Sequence, residues 1–346
     1  MRVFRSSLTR ALRHRWPRLK RILPALVLVV VAALLIHFGR SVDWPQVWVS
    51  MRRIPGGSIA LASGLVVAGY LAYGALDLLA KRYTHHTLPW PKVLGVAMTS
   101  YALNLNLGVL LGGLGARLRL YARLGCRKSV ATRVALFSAA SNWIGYGWLA
   151  GALLALGSVP VPEGWGVGTA VLRLAGVAML ALAAAYLAFC ALSRRRTWTW
   201  MGQHAALPGT GMALAQSAVA ATSWAIMGAI VYVLLQGKAS YPAVLGVLMC
   251  TSFAAVIIRV PGGLGTTEAI FVAALAPRIP APEVLGAALA YRALYAFAPL
   301  CLALLAFLIM EWRLRHRRRA PPTTAAAAKP PSGPEKQAGQ AFRAWD

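Results

Sequence analysis

Two short stretches hold the side chains best suited to chemistry. One runs Arg259-Val-Pro261-Gly262-Gly263-Leu-Gly265-Thr-Thr-Glu268; the other is Tyr291-Arg292-Ala-Leu-Tyr295, with Pro299 following. Both lie in apolar surroundings, where an ionisable residue costs ~2.5–3.5 kcal/mol on insertion scales and needs a partner or a task. Glu268 starts the helix after a Gly-rich turn, close to that helix's positive end. Arg292 lies inside the last apolar segment, and Tyr295, three residues on, shares its helical face. Two roles fit these residues. Arg292 and Glu268 can pair internally and hold the turn in place, or Arg292 or Arg259 can reach an anionic group while Glu268 controls its availability. A guanidinium fork matches phosphate oxygens bidentately, which suits a phospholipid headgroup better than a halide.

A second set is polar. Tyr101, Asn104 and Gly108 fall at helical spacing, as do Ser138, Asn142 and Gly145. Interhelical hydrogen bonding and close backbone approach account for both sets, and a ligand-binding face is the rival reading. Residues 116–124 alternate basic and apolar side chains, including Arg117 and Arg119. They suit an interfacial helix among anionic headgroups, and a plain orientation signal explains them equally well. Asp77, four residues before Lys81, reads as a helix-surface pair. His85-His86 have no carboxylate or cysteine nearby, and the four cysteines lie far apart. There is no Walker loop, GxSxG or HExxH, so no metal, cofactor or catalytic set is expected.

The elements that must position these residues are membrane helices. Of 346 residues, 59% are hydrophobic and 13% charged, with a mean hydropathy of +0.62 and a net charge of +28. Soluble domains are nearer ~25% charged, so an ordinary cytosolic enzyme and a disordered chain are excluded. The basic residues sit in short runs beside apolar segments, as in a membrane protein rather than a nucleic-acid binder. Eight apolar segments are read at 22–38, 58–80, 93–111, 130–156, 170–192, 210–236, 241–258 and 284–311. A basic arm, 1–21, precedes the membrane domain of 22–315, and a basic then Ala/Pro-rich tail, 316–346, reads as disordered.

If all eight segments cross, strong basic clusters face both sides, against the positive-inside bias. If 93–125 and 241–276 instead enter and return on one side, 28 of the 36 basic residues face the cytoplasm together with both termini. The expected fold is therefore all-α and polytopic, with six full spans and two re-entrant hairpins. Gly112, Gly113 and Gly115 break the first hairpin; Pro261, Gly262, Gly263 and Gly265 break the second. The two Gly-Gly-Leu-Gly strings lie 150 residues apart. The units 58–156 and 210–311 then form an inverted helix–hairpin–helix repeat, an architecture typical of transporters.

The strings quoted above, with Tyr73-Gly-Ala-Leu-Asp77, Tyr101-Ala-Leu-Asn104, Gly113-Leu-Gly-Ala-Arg117-Leu-Arg119-Leu-Tyr121 and Ser141-Asn142-Trp143, resemble the lysylphosphatidylglycerol synthase transmembrane-region family over about residues 20–315. In two-domain members the membrane region flips an aminoacylated lipid that a separate soluble domain makes. The resemblance implies a stand-alone bacterial inner-membrane member without that synthase domain, hence no enzyme. It implies movement of a phospholipid with an anionic headgroup. Glu268 and Arg292 are the best-supported site positions, ahead of Arg259, Tyr295, Asn142, Asn104, Arg117 and Arg119. Expected partners are phospholipid and the membrane, with a homo-oligomer or a lipid-synthesis enzyme as further candidates and no nucleic acid. A non-transporting scaffold and a small-solute transporter are the alternatives.

Overall fold

Prolines mark where several helices begin. Pro55, Pro89 and Pro280 each occupy the N-cap position, and Pro91 and Pro282 follow inside the first turn of their helices. Proline lacks the N–H that a first turn cannot satisfy internally, so it starts a helix without loss. The computed structural model describes residues 44–160, 168–193, 197–200, 203–258 and 265–305. Its helices are α1 (Trp44–Arg52), α2 (Gly56–Thr84), α3 (Trp90–Leu107), α4 (Ala116–Arg123), α5 (Lys128–Ala155), α6 (Thr169–Leu192), α7 (Thr210–Leu234), α8 (Tyr241–Ile258), α9 (Thr266–Leu275) and α10 (Ala281–Arg292). Beyond α10 a π-helical segment, Ala293–Phe297, carries the same rod on to Leu305.

Four of these rods are long and apolar enough to cross a membrane: Gly56–Thr84, Thr169–Leu192, Thr210–Leu234 and Ala281–Leu305. At 1.5 Å per residue the 28-residue α5 reaches ~42 Å, equally long but more polar. The expected segment 22–38, the basic arm and the tail lie outside the described residues. The all-α expectation holds, with one short exception. Between α6 and α7, Thr197–Trp200 and Gln203–Ala206 pair as a short antiparallel β-hairpin. The Tyr83 hydroxyl at the end of α2 donates to the Ala206 carbonyl. A loop read by hydropathy alone gives no sign of such a pairing.

In lipid, helices gain nothing by hiding apolar surface from one another, so close packing and hydrogen bonds decide which faces meet. On α6 the buried residues are Gly176, Ala183 and Cys190, one every seven, while Leu174, Leu182 and Leu192 face outward. A β-carbon at Gly176 would lie 2.7 Å from the Gly151 carbonyl oxygen, so α5 and α6 touch backbone to backbone. Gly145 brings α5 equally close to Ala220 on α7. A polar chain also joins the three helices: Tyr186 donates to Gln216 at 2.8 Å, and Gln216 donates to Ser141 at 2.8 Å.

Two pieces of the fold match. Helices α3 and α8 both have 18 residues and begin Trp90-Pro-Lys-Val-Leu-Gly and Tyr241-Pro-Ala-Val-Leu-Gly. In each, the leucine packs on a glycine of the preceding long helix. A β-carbon at Gly74 would sit 2.8 Å from Leu94, and one at Gly228 would sit 2.7 Å from Leu245. Following α3 the chain passes Gly108 (φ 82°) and a π-helical turn, Val109–Gly115, into α4, which packs back on α3. Following α8, helix α9 returns to pack on it.

Candidate functional site

Two buried ion pairs each join a short helix to a long one. From α4, Arg117 Nη2 lies 3.3 Å from Asp77 Oδ1 of α2. Tyr121, one turn after Arg117, donates to Asp77 Oδ2 at 3.0 Å, and Ser138 of α5 donates to Oδ1 at 2.6 Å. The Arg117 guanidinium also lies over the Tyr73 ring, 5.8 Å from its centre. The surface pair expected between Asp77 and Lys81 is thus replaced. Asp77 is fully buried and serves as the common acceptor for three side chains from two other helices.

At the end of α10, Arg292 Nε lies 3.0 Å from Glu268 Oε1 of α9, and both side chains are buried. Glu268 stands in the first turn of α9, where the helix's positive end favours a carboxylate. Its Oε2 is buried without a hydrogen-bond partner among the described residues. The internal pairing read from the sequence is therefore present. Glu283, the remaining described acid, pairs with Lys238. Every acid among the described residues thus has a basic partner.

Tyrosines fill the space between the elements that carry the two pairs. Tyr73 stacks on Tyr101 with ring centres 3.7 Å apart, and Tyr291 stacks on Tyr295 at 5.3 Å. The Tyr101 and Tyr295 hydroxyls share a hydrogen bond of 3.1 Å. Tyr295 is almost wholly enclosed here, in the π-helical segment that starts after Arg292.

The remaining expected positions separate. Asn104 meets the first turn: a β-carbon at Gly113 would lie 2.8 Å from its Oδ1, and one at Gly112 would lie 2.1 Å from the Leu103 carbonyl oxygen. Gly112 and Gly113 are therefore needed there. Gly115 is ordinary helix, with φ −61°, and the left-handed break lies at Gly108 instead. Gly265, at φ 77°, makes the matching entry to α9. Arg119 is exposed on α4, whereas Arg117, two residues earlier, is buried. Asn142 is half-buried, and its backbone carbonyl accepts the Trp224 indole N–H at 3.2 Å. Arg259, Pro261, Gly262 and Gly263 lie outside the described residues.

Sequence reasoning passed over Tyr70, Tyr73, Asp77, Tyr121 and Ser138 as site residues. Asp77 had a signal: an acid between Leu76 and Leu78, inside a run of apolar residues, has no water to face. Arg117 and Tyr121, four apart on one helix, supply the matching donors.

Comparison with known proteins agrees with this architecture. Residues 23–320 match the model of the lysylphosphatidylglycerol synthase TM region. The inner membrane protein YbhN of Escherichia coli is 41% identical over 305 residues, covering 88% of this chain and 96% of that protein. The uncharacterized protein slr0712 of Synechocystis sp. is 29% identical over 314 residues, with coverages of 88% and 96%. The chain belongs to the lysylphosphatidylglycerol synthase transmembrane-region family.

Proposed function

We propose that this family member moves a phospholipid, one with an anionic headgroup, across the bacterial inner membrane by translocation or facilitated flip-flop. The observation that carries the reading is the pair of buried ion bridges, Asp77–Arg117 and Glu268–Arg292, each tying a short helix to a long one. An ion pair in apolar surroundings repays its desolvation only with good geometry, and functional demand is the usual reason for one. When a hairpin shifts, Arg292 or Arg117 becomes available to the phosphate oxygens of a headgroup, and the released carboxylate limits how tightly that headgroup is held. The lipid tails stay in the bilayer while the headgroup follows the face between the two units.

The matching starts of α3 and α8, their equal lengths and the shared Gly–Leu contacts support an inverted repeat of 58–156 and 210–311. In that reading α3–α4 and α8–α9 are re-entrant hairpins, and six helices cross with both termini in the cytoplasm. Exposed Arg119, Arg123 and Lys128 then rest among headgroups of the inner leaflet. The matched region is the membrane part of the family, which favours transport over a chemical step. Asn104, Asn142 and Arg259 complete the proposed headgroup path. The test is dithionite quenching of head-labelled phosphatidylglycerol and phosphatidylethanolamine in proteoliposomes. Inner-leaflet label lost faster than with an unrelated membrane protein supports the reading; equal rates contradict it.

A further inference from the structure

Away from both ion bridges, a cavity of about 180 Å³ opens where the end of α1, the C-terminus of α7 and the first turn of α10 converge. Its walls carry Ser50, Arg53, Gln236, Lys238 and Glu283, with Leu235 among the apolar residues beneath. Lys238 and Glu283 neutralise each other across the opening. Arg53 has no carboxylate within ion-pair distance among the described residues, so the described lining carries one positive charge that no described acid offsets.

The backbone at Gln236 gives a second, independent sign. Its φ of 55° is left-handed, and the N–H groups of Gln236 and Gly237 donate back to the carbonyls of Val233 and Tyr232. This is a Schellman cap, where glycine is the residue at ease and a side chain is strained. A strained residue held where glycine would serve is a pointer to function. Here the side chain that glycine lacks is an amide on the cavity wall.

The geometry points to a binding site for a phosphate ester in this cavity. Arg53 grips two phosphate oxygens in its planar fork, and the Ser50 hydroxyl and Gln236 amide donate to the rest of the group. The volume admits one headgroup without its tails. The site goes beyond the two ion bridges, and it rests on the transport reading only in taking the ester to be that of a phospholipid.

The test uses the full chain in detergent with two probes, dihexanoyl-phosphatidylglycerol and glycerol 3-phosphate, and reads Kd together with melting temperature. Arg53→Gln weakens binding about tenfold, the loss of one charge-assisted fork. Gln236→Gly weakens it severalfold while the melting temperature holds or rises, because glycine suits the left-handed cap; a purely structural Gln236 would leave Kd unchanged. Tight binding of the lipid alone identifies a lipid headgroup as the ligand, and equal binding of both probes identifies a soluble ester. Wild type that binds neither probe, or variants within twofold of wild type, overturn the site. Lipid flux measured on the same preparations separates the two claims. Flux with unaltered binding in both variants removes this site alone, and lost binding in a chain without flux removes the transport reading alone.

Discussion

Tyr70 on α2 donates its hydroxyl hydrogen to the backbone carbonyl of Tyr295 at 3.0 Å, across 225 residues of sequence. In an α-helix that carbonyl would take its bond from residue 299, which is proline and has no N–H. The rod answers with a π-helical segment and with a hydroxyl from a neighbouring helix, as backbone within a membrane must be satisfied by protein. Tyr70→Phe is therefore expected to cost about 1–2 kcal/mol, the range for stranding a buried acceptor. Pro299→Ala returns the helical donor, so the Tyr70→Phe loss should shrink in that background. A double-mutant cycle on detergent melting temperatures checks this, and an unchanged loss would refute it.

Asp77 accepts from three side chains at once, so its removal strands Arg117 in an apolar site. Asp77→Asn should destabilise by roughly 3–5 kcal/mol, the range for breaking one side of a buried pair. Adding Arg117→Met removes the stranded charge and should recover part of that. Size-exclusion profiles and thermal melts of the purified single and double variants report the order of stabilities.

Gly176 and Gly151 let α5 and α6 meet backbone to backbone. A leucine at Gly176 should part them at a cost of about 1–3 kcal/mol, as overpacking does. A β-carbon at Gly168 meets nothing within 4 Å, so leucine there should be close to neutral. Comparing the two variants by thermal melt distinguishes packing from a general intolerance of bulk.

Gly112 lies 2.1 Å, measured from its would-be β-carbon, from the Leu103 carbonyl oxygen. Gly112→Ala cannot be absorbed by rotating a side chain, because the obstacle is backbone. It should open the first hairpin and raise labelling of a cysteine placed at Asn106 by a water-soluble maleimide. Gly115→Ala, at an ordinary helical position, should leave labelling unchanged.

How much of this was legible in the sequence depended on the physics of each feature. Long rods such as α2, α6 and α7 announce themselves by continuous apolar content, and two charges with nowhere wet to go pointed to Glu268 and Arg292, with the internal pair one of the two roles that fit them. The short pairing Thr197–Ala206 rests on backbone hydrogen bonds that hydropathy does not register. Asp77 was misplaced because Lys81 lies one turn away in sequence, whereas its real partners come from α4 and α5. The π-helical segment Ala293–Phe297 that carries Tyr295 leaves no mark in residue spacing. The kinship of Trp90-Pro-Lys-Val-Leu-Gly and Tyr241-Pro-Ala-Val-Leu-Gly was open to inspection; the matching contacts of Leu94 and Leu245 gave it meaning.

The most direct test of the central claim is the initial rate of dithionite quenching of head-labelled phosphatidylglycerol in proteoliposomes. Wild type is compared with Glu268→Gln, Arg292→Gln and the exchange Glu268→Arg with Arg292→Glu, each first shown to be monodisperse. The account predicts flux by wild type, its loss in both single variants and at most partial recovery in the exchange, since a restored bridge now faces the lipid phosphate with altered polarity. Wild-type rates in the two folded single variants would contradict it.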